Sequence, residues 1–291
     1  MSNSSSQINR RRFLETASVA TAAATLAPNL FAAPSQSSKA ETAVQEFYSS
    51  LNDQQKSQIC FDFNHQLRNK INANWHITKP TIGLDFYSDK QRSMIDNILR
   101  GITSEDGYAR LQKQMDEDDG GVGFYSVAVF GDPSTEKFEF ELTGRHLTLR
   151  ADGNSVDKAA FGGPIVYGHG EEAPSENLYH YQTQQTNEVF KALDKDQRQK
   201  ALLQAIPREN AVQRQGKNGN FSGLEVGSMS DDQKELVSET LDVLLAPYRD
   251  EDKKEVKTIL KGIGGVDQLR MAFYKKGDLN NDKTWDNWRI E

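Results

Sequence analysis

Four histidines sit among residues that could do chemistry with them. His65 follows Asp62 by one helical turn, His76 lies in NWHITKP, His146 in FEFELTGRHLTLRADG, and His169 in YGHGEE. Imidazole changes charge near neutral pH and is the commonest metal ligand, so its neighbours decide its role. No H-x-H or H-x-x-x-H occurs in the chain, so any metal site must be assembled from distant segments. A site built from His65, His76, His146 and His169 with carboxylate support suits zinc, copper or iron(II) better than magnesium or calcium. In an enzyme Glu171 beside His169 would serve as base. Arg145 and Arg150 flank the histidine strand and would hold an anionic substrate or balance an acidic surface. The plainer reading makes each histidine a hydrogen-bonded structural residue. His180, in NLYHYQ, reads as structural or exposed.

The elements around these residues can be anticipated. Phe138, Phe140 and Leu142 alternate and share one face of a strand. Continuing that parity puts Gly144 and His146 on the same inward face, unless a bulge at Gly144 re-aims the histidine. Glycines on both sides of His169 let the backbone approach a bound group. Asp278-x-Asn280-x-Asp282-x-x-x-Asp286 begins like a calcium loop, but Lys283 stands at position six and Arg289 at position twelve. An Asx-rich turn is the alternative. MDEDDGG (115–121) reads as a solvated helix end. The single cysteine, Cys60, reads as a buried small hydrophobe, with a nucleophile paired to His65 as the sharper alternative. One cysteine excludes an intrachain disulfide and any zinc site of several thiolates. No P-loop, Rossmann fingerprint, G-x-S-x-G elbow or c-type haem motif is present.

The chain has 291 residues and a formal charge of −7. Residues 1–35 hold three Arg and one Glu, so the remainder is more acidic still. That balance speaks against nucleic acid and against an anionic membrane as partner. Mean hydropathy is −0.71, and no apolar run is long enough to span a membrane. Arg10-Arg11-Arg12-Phe13-Leu14 followed by an Ala/Thr-rich stretch and a small-residue region near Ala32–Ser35 fits a twin-arginine export signal. Residues 1–35 are therefore an address, read by the export machinery and sending the chain to the periplasm or beyond. That route carries folded proteins, often with a metal or cofactor already bound.

Four helix starts share one signature: Asn52-x-x-Gln55, Ser88-x-x-Gln91, Asp194-x-x-Gln197 and Ser230-x-x-Gln233. Each is a capping box, and each pair of starts is 36 residues apart. Gly120-Gly121-Val122 and Gly264-Gly265-Val266 then open matching strand segments, with KFEFEL (137–142) and TWDNWRI (284–290) as return strands. These repeats predict an α+β fold, with a duplicated helix-and-hairpin unit around a mainly antiparallel sheet. The first copy with its glycine-rich loop spans 36–178 and the second 179–291, together forming one domain. The loop FGGPIVYGHGEEAPSENLYHYQTQQ (161–185) is expected to be ordered and functional, and QRQGKNGNFSG (213–223) to be a mobile surface loop. The second return strand stops at Glu291, where the counterpart of Gly144-Arg145-His146 would begin, so a C-terminal truncation is expected.

The chain resembles the bacterial family called domain of unknown function 3500, in its twin-arginine-exported form. The stretches that carry the resemblance are ICFDFNH (59–65), NWHITKP (74–80), AVFGDP (128–133), FEFELTGRHLTLRADGNS (138–155), AFGGPIVYGHG (160–170) and DLNNDKTWDNWRIE (278–291). The resemblance implies a continuation past Glu291 to an H-x-H pair, and implies no activity. Two functions stand as expectations: an extracytoplasmic protein with a histidine-rich site for zinc, copper or iron that could support catalysis, or a non-catalytic protein binding a small or anionic ligand, with structural histidines.

Overall fold

The computed structural model describes residues 39–135, 137–152, 165–208 and 219–291. These residues belong to one compact unit. The expected signal at 1–35, the start of the glycine-rich loop and most of the polar loop at 213–223 lie outside the described residues.

Capping sets the helices. All four predicted capping boxes form, with side chain and backbone bonded reciprocally at Asn52/Gln55, Ser88/Gln91, Asp194/Gln197 and Ser230/Gln233. They open α2 (Asp53–Ile59), α3 (Asp89–Ile102), α6 (Lys195–Ala201) and α7 (Asp231–Leu245). The remaining described helices are α1 (Lys39–Ser50), α4 (Glu105–Asp119), α5 (His180–Ala192) and α8 (Asp250–Gly262). The capping glutamines also meet in pairs. Gln55 and Gln91 exchange amide hydrogen bonds at 3.0 Å, and Gln197 and Gln233 do so at 2.9 and 2.8 Å. Each second glutamine also donates to a preceding helix end, Gln91 to the Ser50 carbonyl and Gln233 to the Ala192 carbonyl.

The fold is α+β with two mixed sheets. The first has the order β1 (Cys60–Phe61), β2 (Ser126–Gly131), β3 (Phe138–Gly144), β4 (Leu147–Asp152), β5 (Val166–Tyr167). Only β1 with β2 is parallel in it. In the second, β8 (Arg270–Tyr274) pairs in parallel with β6 (Leu202–Leu203) and antiparallel with β7 (Leu224–Glu225) and β9 (Trp288–Ile290).

One face of the first sheet packs Val127, Val129, Phe138, Phe140, Leu142 and Leu149 against Phe47 of α1 and Ile95, Ile98 and Leu99 of α3. Its other face is also covered, by the segment around residues 63–80. Trp75 donates to the Thr148 hydroxyl at 3.1 Å, and the Ile77 amide donates to the Thr143 hydroxyl at 2.8 Å. Every residue of β3 and β4 is therefore buried.

Because that second face is closed, its charges are internal. Arg150 is not the surface cation expected from sequence. It is fully buried and bridges Glu139 at 2.6 Å and Glu141 at 2.8 Å, while Arg68 reaches Glu139 at 3.1 Å. Burial, opposed by Arg150 and then Arg68, raises the Glu139 carboxyl to about 7, so removing Arg150 takes away the main charge that compensates two buried glutamates. Arg150→Met is expected to lower stability by about 3–5 kcal/mol in denaturant unfolding. A loss below about 1 kcal/mol would show that the set does not need this guanidinium.

Candidate metal centre

Three segments converge at the C-terminal end of α4. Leu111, Gln114, Met115 and Asp118 form one stripe along the helix, at helical spacing. The first three are buried residues and the Asp118 side chain is 2% exposed. Asp118 thus carries a carboxylate inward at the helix end where backbone carbonyls already concentrate negative charge. Gly120 ends the helix in a left-handed conformation, φ 81°. The acidic MDEDDGG run is therefore not merely a solvated helix end.

The second segment is the turn between β3 and β4. Residues 138–152 form a hairpin, because Gly144 pairs with Leu147 and leaves Arg145 and His146 at its tip. His146 thus neither continues the inward strand face nor is re-aimed by a bulge at Gly144, because the pairing is regular up to Gly144 and the turn follows it. Its backbone is left-handed, φ 54°, which costs a non-glycine residue about 1–2 kcal/mol. The tip is held from three sides. Arg145 bridges to Asn74 and accepts at its carbonyl from the Tyr125 hydroxyl at 2.9 Å. The His146 carbonyl accepts from Gln114 at 3.1 Å. Gly144 must be glycine, because a Cβ there would lie 2.2 Å from the Tyr125 ring.

The third segment is the end of the glycine-rich connection. Asp118 joins it to the tip: one carboxylate oxygen is 2.9 Å from His146 Nδ1, and the other accepts from the Gly170 amide at 3.1 Å. Gly170 lies flat on the imidazole, where a Cβ would approach His146 Cε1 to 2.5 Å. This places His169, with its side chain 1% exposed, beside Glu117 and Glu171. Its Nε2 is 3.0 Å from a Glu117 oxygen and 3.1 Å from a Glu171 oxygen. Neither contact has hydrogen-bond angles, so the buried Nε2 has no hydrogen-bond partner. Glu117, His169 and Glu171 each offer a ligand atom, and these atoms lie within 4.8 Å of one another. The group could hold a metal ion, and among the described residues it is the one cluster of three or more such side chains that converges in this way.

The other ring nitrogen bears on the chemistry. His169 Nδ1 accepts from the Leu178 amide at 3.3 Å. A neutral imidazole that accepts at Nδ1 carries its proton on Nε2, here between two carboxylates. Asn177 holds the His169 carbonyl from the same turn.

The four sequence-singled histidines do not share one place. His146 and His169 meet through Asp118 and Gly170. His65 lies at the far end of the first sheet. Its ring stacks on Phe61 at 4.7 Å, and its Nδ1 caps a short helix through the Leu67 amide. Phe130, near which it stacks, pairs with Glu139, five residues from Gly144, or about 17 Å of strand. His76 is exposed and bonds the Phe124 carbonyl through Nε2 at 2.9 Å. The Arg145 side chain is exposed. Sequence reasoning missed Glu117 and Asp118. Their signal was an apolar stripe ending in acid, with no basic residue in the last turn of α4.

Two further motifs resolve differently. Burial pushes the Cys60 thiol up to about 11, so it is no nucleophile at neutral pH. In the loop that begins like a calcium site, Asp278 accepts from the amides of Asp282 and Lys283, and Asp286 from that of Leu279. Asp282 accepts from the Thr284 amide at 2.7 Å, an Asx turn, so the loop spends these carboxylates on its own backbone. A polar cleft of about 270 Å³ opens beside it, lined by His180, Glu188 and Lys191 with Asp282 and Asp286.

Asp118→Asn keeps the size of the side chain but removes the charge shared by His146 and the Gly170 amide. The expected cost is about 1.5–3 kcal/mol, seen as a lower melting temperature and faster exchange of the Gly170 amide. Unchanged exchange at Gly170 would show that Asp118 does not fasten the connection.

No curated protein matches the chain, and no solved structure does. A family model matches residues 33–284. That span covers most of the sequence, including all three segments of the centre. The chain belongs to the family described as protein of unknown function (DUF3500).

Proposed function

We propose that this protein is an extracytoplasmic binder of a divalent transition-metal cation, held by Glu117, Glu171 and Nε2 of His169. The observation that carries the reading is the buried Nε2 without a hydrogen-bond partner, facing two carboxylate oxygens at 3.0 and 3.1 Å. Two ligand atoms at right angles on one ion with bonds near 2.1 Å lie about 3.0 Å apart. Such spacing matches neighbouring corners of an octahedron better than a tetrahedron. One imidazole with two carboxylates suits manganese(II), iron(II) or zinc more than copper(I). This is a carboxylate-rich centre rather than the histidine-rich one expected from sequence. The twin-arginine pattern at Arg10-Arg11-Arg12-Phe13-Leu14 supports export through that machinery, a route open to a chain folded around its metal.

A second reading rests on the Leu178 contact. With Nδ1 accepting, the Nε2 proton itself sits between Glu117 and Glu171 and clasps the glycine-rich connection to α4. A cation displaces that proton. The ring proton then belongs on Nδ1, and the 3.3 Å contact with the Leu178 amide is given up. Ligating histidines usually donate from their second nitrogen, so the two readings differ in what Leu178 does.

Elemental analysis of exported protein, with thermal unfolding in manganese(II) or chelator, separates them. Near-stoichiometric metal and stabilisation of about 2.7 kcal/mol at a hundredfold excess over the dissociation constant are expected. Both should be lost in Glu117→Gln and in Glu171→Gln. Metal-free protein that melts identically with cation and with chelator would leave the proton clasp.

A further inference from the structure

We infer that α1 is fastened to α8 by a proton-operated latch in which Glu41, Asp252 and Glu255 gather around one guanidinium, Arg249. The cluster lies away from the metal centre and plays no part in it. Arg249 grips Asp252 with two hydrogen bonds, at 2.8 and 2.9 Å. It reaches Glu41 only at 3.8 Å. Glu41 is 2% exposed, and its Oε2 is buried without a hydrogen-bond partner. Asp252 is 4% exposed and Glu255 half-buried. A guanidinium already committed to Asp252 cannot neutralise two more carboxylates, so the stable arrangement binds protons.

The surroundings offer little relief. Asp152, at the end of β4, acts on Glu41 and on Glu255 as a further negative charge, and Glu251 adds another beside Arg249. From α3, Gly101 meets Ala40, and the neighbouring Arg100 is paired with Asp96 at 2.8 Å. Burial, opposed mainly by Arg249, raises the Glu41 carboxyl to about 7. Burial and then Asp252, Asp152 and Glu41 raise Glu255 to about 8. Burial likewise raises Asp252.

The sign follows from linkage. A carboxyl whose folded value exceeds its unfolded one makes the folded state bind more protons than the unfolded chain. Its favourable contribution is complete below about 4.5, the ordinary value, and is lost as pH rises through about 7 to 8. Above that range the ionised carboxylates repel across the α1–α8 contact. Arg249 itself stays in place, because its amide bonds the Ile102 carbonyl and the Ser104 amide bonds the Pro247 carbonyl. α1 has no such backbone bond to α8 among the described residues; it is held by side-chain packing on α3 and the sheet, and it is the element on which the repulsion acts.

Hydrogen exchange on the full chain tests this, compared at about pH 6 and about pH 9 after correction for intrinsic rates. Protection across residues 39–50 is expected to fall roughly tenfold while α7 (Asp231–Leu245) keeps its protection. In Glu41→Gln the α1 protection should be the same at both pH values. Glu255→Gln provides the same test should Glu41→Gln fold poorly. Wild-type α1 protection independent of pH, equal loss in α1 and α7, or unchanged pH dependence in both variants would overturn the latch.

Discussion

A carboxylate buried at the negative end of a helix is the constraint around which the first half of this molecule is arranged. Asp118 adds charge where the α4 macrodipole already opposes it. It is tolerated because His146 and the Gly170 amide take up its two oxygens. That demand explains features that are costly alone. His146 occupies a left-handed backbone, the hairpin tip lacks the usual Asn-Gly pair, and Gly170 must stay bare to lie on the imidazole. Each is offset by the same carboxylate. The consequence reaches the group one residue away that could hold a metal ion. Fixing Gly170 fixes the residues on either side of it, and Glu117 comes from the same helical turn as Asp118. Glu117, His169 and Glu171 are thus positioned by a structural interaction that involves none of their own side chains.

A second constraint is that the first sheet has no solvent face. Sheets with one open face alternate apolar and polar residues because water satisfies the polar side. Here β3 alternates, yet Glu139 and Glu141 point into protein and find Arg150 and Arg68. Covering that face also brings Asn74 to Arg145, so the segment that buries the ion set braces the tip carrying His146. The second half repeats the helix caps and the glutamine pairs but not this chemistry. Its α8 ends in Leu-Lys-Gly-Ile-Gly-Gly, with Lys261 in the last turn, where α4 ends in acid.

What the sequence made legible was local. A capping box is complete within four residues, so Asn52, Ser88, Asp194 and Ser230 announced their helices without help from the rest of the chain. The same holds for the Asx turn at Asp282, which closes within two residues. The α+β class followed from the order of those signals. Roles that depend on distant partners were less legible. Arg150 looked like a surface cation, because nothing near it in sequence reveals that residues 63–80 cover its face. Glu117 and Asp118 looked solvated, because their meaning depends on His146 and Gly170, 28 and 52 residues further on. His146, His169 and Glu171 were singled out, but the two carboxylates from α4 that complete their setting, Glu117 and Asp118, were not. His65 and His76 drew attention for their residue type and serve local contacts instead.

The most direct test of the metal centre is anomalous diffraction from crystals soaked in manganese(II). A difference peak within about 2.3 Å of Glu117, Glu171 and His169 Nε2, with the Leu178 amide drawn away from Nδ1, is the expected result. A map without a peak there, with Nδ1 still accepting from Leu178, would contradict a cation centre and leave a histidine that clasps two glutamates through its own proton.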